Sequence, residues 1–181
     1  MKNSYRIFGD LTVVYIKHKG RFLQTIIDTV DLRRVASIRG TWFARHAGNN
    51  KFYVFTSVKG ETVHIHRYIT GAPQGLVVDH IDGDAMNNRR KTNLRLATHG
   101  ENMQNRQSAN RNSTTKIRGV CWHKKSRKWQ VRVNIDGVQS WVGAFEILED
   151  AEQAAIESRT KHYAFSKENL GRNTDGRMNA I

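Results

Sequence analysis

The stretch "VVDHIDGDAMNNRRKTNLRLATHGEN", residues 77–102, decides how the chain is read. "LVVDHI" (76–81) is apolar and β-branched up to an adjacent acid and imidazole, Asp79 and His80. That composition predicts a strand, and consecutive strand residues project to opposite sides of the pleat. A polar loop follows, and "NLRLA" (93–97) then reads as the return strand. "THGE" (98–101) has the S/T-x-x-E form of a capping box, which predicts a helix opening at Thr98 with Asn102 in its first turns. The segment is therefore a hairpin followed by a helix, with a hard oxygen donor from each part. A carboxylate plus an amide oxygen suits Mg²⁺ or Mn²⁺, ions that keep several waters and take a substrate phosphate.

Upstream, "LTVVYIK" (11–17) and "RFLQTII" (21–27) are β-branched runs around "HKG", which predicts a hairpin. "DTVDLRRVAS" is expected to be a short helix, with Asp28 as N-cap and Val30, Leu32 and Val35 on its apolar side. "WFARH" and "KFYVFTSV" flank the turn signal "AGNN" and predict a second hairpin. Residues 1–62 thus read as a small β-rich unit, and the only proline, Pro73, punctuates the chain before the opening stretch.

The charge balance narrows the partners. The 181 residues carry 30 Lys and Arg against 16 Asp and Glu, a formal charge of +14. An excess of that size favours a polyanion, and nucleic acid first. The single cysteine, Cys121, can build neither a disulfide framework nor a cysteine zinc site within one chain. This fits an intracellular setting, and no signal peptide or membrane span is read in the basic N-terminus.

From Asn102 to Ile135 there is no Asp or Glu at all, while Arg106, Arg111, Lys116, Arg118, Lys124, Lys125, Arg127, Lys128 and Arg132 fall within it. Its first part, 107–116, is a basic linker by composition. "IRGVCWH", "KWQVRVN" and "QSWVGAF" then predict three strands, and "LEDAEQAAIESRTKHYAF" a helix with Ala151, Ala154, Ala155 and Tyr163 on its apolar side. Cys121 is expected as a small residue packed in this sheet. Along "KWQVRVN", Gln130, Arg132 and Asn134 alternate with Val131 and Val133. The apolar face can pack on the helix, which leaves the polar face to enter a DNA groove.

Two resemblances sharpen this. "HRYITGAPQGLVVDHIDGDAMNNRRKTNLRLATHGENMQNR" resembles the HNH nucleases of ββα-metal form, and looks closest to the phage homing endonucleases with asparagine in place of the final histidine. The resemblance implies that His80 is the general base, that Asn93 holds the His80 ring, and that Asp79 and Asn102 bind one divalent metal. It also implies products with a 5′-phosphate and a 3′-hydroxyl. Asp82 and Asp84 could add ligands, although turn chemistry accounts for them equally. His66 is expected to be structural, or to contact phosphate together with Arg67. The C-terminal segment resembles the APETALA-type (ethylene-response-factor) DNA-binding domain through "RGV" (118–120), Lys128-Trp129, "WVGAF" (141–145) and the Ala-rich helix. That implies Arg118 and Trp141 as DNA contacts, with Arg132, Asn134, Gln139, Lys124 and Lys125 beside them. "CWH" (121–123) departs from that family's arginines, so base specificity does not carry over.

The expected class is α+β. A β-rich unit (1–62) precedes a ββα-metal HNH domain (63–106), the linker (107–116), a three-stranded antiparallel sheet packed on one helix (117–170) and a tail (171–181). The expected activity is metal-dependent hydrolysis of duplex DNA. One site per chain favours nicking by a monomer, and a double-strand break needs a dimer or two successive cuts. The alternatives are a DNA-binding regulator with a decayed nuclease domain and an enzyme acting on RNA. The stacking aromatics that single-strand RNA readers expose form no such motif here.

Overall fold

The computed structural model describes residues 1–48, 51–106, 109–135, 137–166 and 169. The expected tail, 171–181, lies outside them. The class is α+β, with four small sheets and a few helices among the described residues. Contacts divide the chain into two compact units, Met1–Thr98 and His99–Ile181.

In the first unit β1 (Tyr5–Phe8), β2 (Leu11–His18) and β3 (Arg21–Asp28) form an antiparallel meander. β2 alternates with period two, so that Thr12, Val14 and Ile16 are buried. The β2–β3 turn is Lys19-Gly20, both at positive φ (46° and 80°), the combination that matches the twist of a tight hairpin and that glycine adopts without strain. A 3₁₀ turn (Thr29–Asp31) and α1 (Leu32–Ser37) follow. Val35 is fully buried there, but Val30 is 61% exposed and does not join the apolar side. Asp28 makes no capping bond. Its carboxylate accepts instead from Arg89 Nε (3.0 Å) and the Lys91 amide (2.8 Å).

β4 (Phe43–His46) and β5 (Phe52–Val58) pair as the second hairpin, and residues 49–50 of the expected turn signal "AGNN" lie outside the described residues. The sheet gains β6 (Glu61–His64), and α2 (Ile65–Thr70) continues directly from it. β7 (Val77–His80) then pairs antiparallel with β9 (Leu94–Ala97), as the hairpin reading of 77–97 requires. Between them β8 (Asn87–Asn88) runs parallel to the end of β3, with Ile26 opposite Asn87 and Ile27 opposite Asn88.

One core, built on Val14, Ile16, Ile27, Val35, Trp42, Val54, Ile65 and Ile69, runs from β2 to α2. Residues 1–62 therefore share their apolar interior with α2. Arg89 also bridges Asp10 and Asp28, and Arg90 pairs with Asp31. The two compact units divide after Thr98.

The second unit starts with α3 (His99–Gln104) and carries β10 (Val120–His123), β11 (Lys128–Ile135), β12 (Val138–Phe145) and α4 (Leu148–His162). The three strands form one antiparallel sheet. Ala151 and Ala155, one helical turn apart, let α4 lie close on Val120 and Val131, with Trp129, Phe145 and Leu148 around them. Ala154 is only half-buried, and the third inward position of α4 is Arg159, which donates to the Arg118 carbonyl. Gly119 sits at φ +87°, where an added Cβ would lie 2.7 Å from the Arg132 carbonyl oxygen. That close approach accompanies the register shift between Val131 and Arg132. No helix among the described residues is long and apolar enough to cross a membrane.

Candidate active site

β7 delivers Asp79 and His80, each only 6% exposed, opposite Arg95 and Leu94 of β9. The ladder holds the backbone of both residues, so the direction of each side chain is set by the pleat.

His80 is packed among aromatic rings. His66 lies edge-on at 5.3 Å between centroids and Tyr53 at 6.2 Å, while His64 stacks beyond His66 at 5.3 Å. Three imidazoles and a phenol from β5, β6, α2 and β7 thus share one cluster. Burial lowers the pKa of His80, against the opposing pull of the Asn88 hydrogen bond and the carboxylates of Asp82, Asp79 and Asp84. A ring shifted in that direction is neutral at neutral pH and can accept a proton. Burial, then the neighbouring His80, His64 and Arg67, push His66 down to about 3. His64 is lowered too, by burial and by Arg45 and Arg67. The Nδ1 atoms of His64 and His66 are buried with no hydrogen-bond partner among the described residues.

The β7–β9 loop is built from its own polar side chains. Asp82 accepts from the Asp84 amide (2.8 Å) and from Asn87 Nδ2 (2.7 Å), and Asp84 accepts from the Met86 amide (2.9 Å). These are the turn roles that short acidic side chains fill. Asn93 serves the same loop. Its amide oxygen accepts from the Asp82 amide (3.0 Å), its NH₂ donates to the Asn87 carbonyl (2.7 Å), and its own carbonyl accepts from the Ile81 amide (2.9 Å). Asn93 thus shapes the loop that follows His80. At Nε2 the ring faces the amide of Asn88, whose Oδ1 lies 3.3 Å away.

Asp79 Oδ2 accepts from Arg95 Nε (2.8 Å) and its terminal nitrogen (2.7 Å), a largely buried ion pair. Asn102 is half-buried in α3, which begins at His99 directly after the expected capping residue Thr98. Arg67 gives its guanidinium to the carbonyls of Leu76, Ala72 and Pro73, so it fastens the turn after α2 instead of pairing with His66 on a phosphate.

Residues 63–104 match the HNH endonuclease family. A further relative is the DNA endonuclease I-HmuI of Bacillus phage SP01, 32% identical over 97 residues, which are 51% of this chain and 55% of that protein. The chain thus spans about half the length of the curated relative it matches. No solved structure gives a significant match. The HNH match begins in β6, takes in α2 and the β7–β9 hairpin, and ends with α3.

Outside the HNH segment, the basic sheet presents the expected polar face. Arg132 pairs with Trp141 and Asn134 with Gln139 across β11 and β12, and all four side chains are exposed, Trp141 by 54%. The Arg132 guanidinium lies over the Trp141 ring at 5.6 Å. Lys124 and Lys125 stand exposed in the β10–β11 turn. Cys121 is exposed rather than packed. Trp122 opposes Trp129, with ring centroids 4.7 Å apart.

Arg118 is engaged inside the second unit. Its guanidinium donates to the carbonyls of Met103 (2.9 Å), Gln104 (2.8 Å) and Arg106 (2.6 Å) and lies over Tyr163. It thereby satisfies carbonyls that the end of α3 leaves without helical partners. Three hydrogen bonds from its two terminal nitrogens thus fasten the second unit internally.

Asn88, Tyr53 and His64 were not singled out from sequence. The alternating "HIH" at 64–66 was the one available signal. Asn88 gave none, because a polar residue in a polar loop reads as solvated, yet it is fully buried.

Proposed function

We propose that the chain is a divalent-metal-dependent HNH endonuclease that hydrolyses phosphodiester bonds in duplex DNA, of the phage homing type. The observation that carries this reading is His80, a buried imidazole biased toward neutrality and held beside Asp79 inside the segment that matches the HNH family. His80 takes a proton from a water, the resulting hydroxide attacks phosphorus as the P–O3′ bond breaks, and the leaving 3′-oxygen takes a proton from solvent, which gives a 5′-phosphate and a 3′-hydroxyl. Asn93 keeps the loop between the two strands in shape.

The donor chemistry fits a hydrated hard cation. Asp79 offers a carboxylate, which Arg95 already engages through one oxygen, and no group of three or more His, Cys, Asp or Glu side chains among the described residues is placed to hold an ion. Asp79 would hold Mg²⁺ or Mn²⁺ through its carboxylate. Such an ion stabilises negative charge on the phosphate and on the leaving oxygen.

The exposed face of β11 and β12 supplies DNA affinity, with Arg132, Trp141, Asn134 and Gln139 toward the groove and Lys124 and Lys125 toward phosphates. This agrees with the APETALA-type resemblance and with the acid-free run before it. The phage relative's name describes a DNA endonuclease, and duplex DNA is the substrate proposed for this chain on that likeness.

Nicking of supercoiled plasmid with and without Mg²⁺ tests the reading, with His80→Ala as control. The variant should lose about 10²–10⁴-fold in rate and still bind DNA. Cleavage by the variant at the wild-type rate would refute the mechanism. Binding without any cleavage by the wild type would identify a regulator instead.

A further inference from the structure

The bond from Asn88 to His80 is one link in a longer chain. Asn88 is fully buried and anchored at three points. Its Nδ2 lies 2.8 Å from Thr25 Oγ1 and 3.2 Å from the Ala85 carbonyl oxygen, and its Oδ1 lies 3.3 Å from His80 Nε2. Thr25, also fully buried on β3, donates its hydroxyl hydrogen to the Met86 carbonyl at 2.7 Å.

These contacts orient every donor. A carbonyl oxygen only accepts, so the atom of Asn88 facing Ala85 must be the NH₂ group. The Thr25 hydroxyl has given its hydrogen to Met86, so it too accepts from that NH₂. The remaining amide atom, facing His80, is then the oxygen, and an oxygen there requires a proton on Nε2. In a neutral imidazole this makes Nδ1 the nitrogen that carries the lone pair. The pairing of β8 with β3 maintains the arrangement, because Ile27 lies opposite Asn88 in the ladder.

We infer that Asn88 and Thr25 are positioning residues that hold neutral His80 as its Nε2–H tautomer, so that Nδ1 is the base, and that the N-terminal sheet exists in part to carry this relay. The inference deepens the nuclease reading and rests on it for its catalytic meaning, while the tautomer itself is a property of the ring that can be read without any cleavage.

The test uses the full-length chain, ¹⁵N-labelled at histidine, at about pH 8. Long-range ¹H–¹⁵N correlation spectra distinguish the two neutral tautomers, and His80 is assigned by loss of its signals in His80→Ala. Wild type should show Nε2 protonated and Nδ1 bare. Asn88→Ala and Thr25→Val should each move His80 toward a mixture, whereas Thr25→Ser, which keeps the hydroxyl, should hold the wild-type pattern. On plasmid DNA, Asn88→Ala should lower kcat by about 10–100-fold with KM little changed, the usual scale for losing a partner that orients a functional side chain. Protonated Nδ1 in the wild type would overturn the inference without any variant having to fold. So would an unchanged tautomer in a folded Asn88→Ala protein. If the tautomer shifts as expected and wild type does not cleave DNA, the relay stands and the nuclease reading falls.

Discussion

Acidification should destabilise the first unit through one buried ring, His66. It is 9% exposed, its Nδ1 has no hydrogen-bond partner among the described residues, and His64 and His80 flank it. Burial and these neighbours bring it from an ordinary 6.5 to about 3. Between those values the unfolded chain binds a proton that the folded one refuses, so stability is intact above pH 6.5 and falls as the pH drops toward 3. Each pH unit in that window costs about 1.4 kcal/mol, so acidification to pH 5 should remove about 2 kcal/mol through His66 alone. Shifts in His64 and His80 have the same sign and add to this. The assay is urea denaturation at pH 7.5 and pH 5 of protein labelled with 5-fluorotryptophan. Of the four tryptophans only Trp42 lies in the first unit, fully buried, so its ¹⁹F signal follows that unit alone. His66→Phe, which keeps a ring but cannot titrate, should lose most of the pH dependence. Parallel losses in wild type and variant would refute the assignment.

Three further outcomes follow from contacts elsewhere. Gly119→Ala should destabilise the second unit by about 1–3 kcal/mol in thermal unfolding, because its φ of +87° and the Arg132 carbonyl at 2.7 Å leave a Cβ no room; a neutral effect would mean that the backbone there relaxes freely. Arg89→Ala strands the buried Asp28 carboxylate and should cost about 3 kcal/mol in urea denaturation, near the lower end for breaking a buried ion pair, since Arg89 itself is partly exposed. Arg132→Ala and Trp141→Ala should weaken duplex binding with chemistry unaltered at saturating enzyme, whereas Lys124→Ala should weaken all sequences alike and flatten the salt dependence by a slope of about 0.9. Unchanged binding isotherms for all three would remove the sheet as the DNA reader.

What the sequence determined by itself was local. The β-branched run into Asp79-His80, the return strand at 94–97 and the start of α3 at His99 follow from pattern and capping chemistry, which act over a few residues. The same holds for the three C-terminal strands, where alternation alone placed Arg132 and Asn134 opposite to Val131 and Val133. Tertiary structure decided which polar side chains are spent on holding the chain together. Asp28 looks like a helix cap and is instead the partner of Arg89, 61 residues away. Arg118 sits in a motif that suggests DNA contact, but the carbonyls ending α3 claim its guanidinium. Asn93 and Asn88 are both loop asparagines, and only packing against Thr25 on β3 assigns the second to His80. The physical reason is common to these cases. A hydrogen-bonding group has the same valence on the surface and in the interior, and burial, which is set by residues distant in sequence, determines which partner it must find.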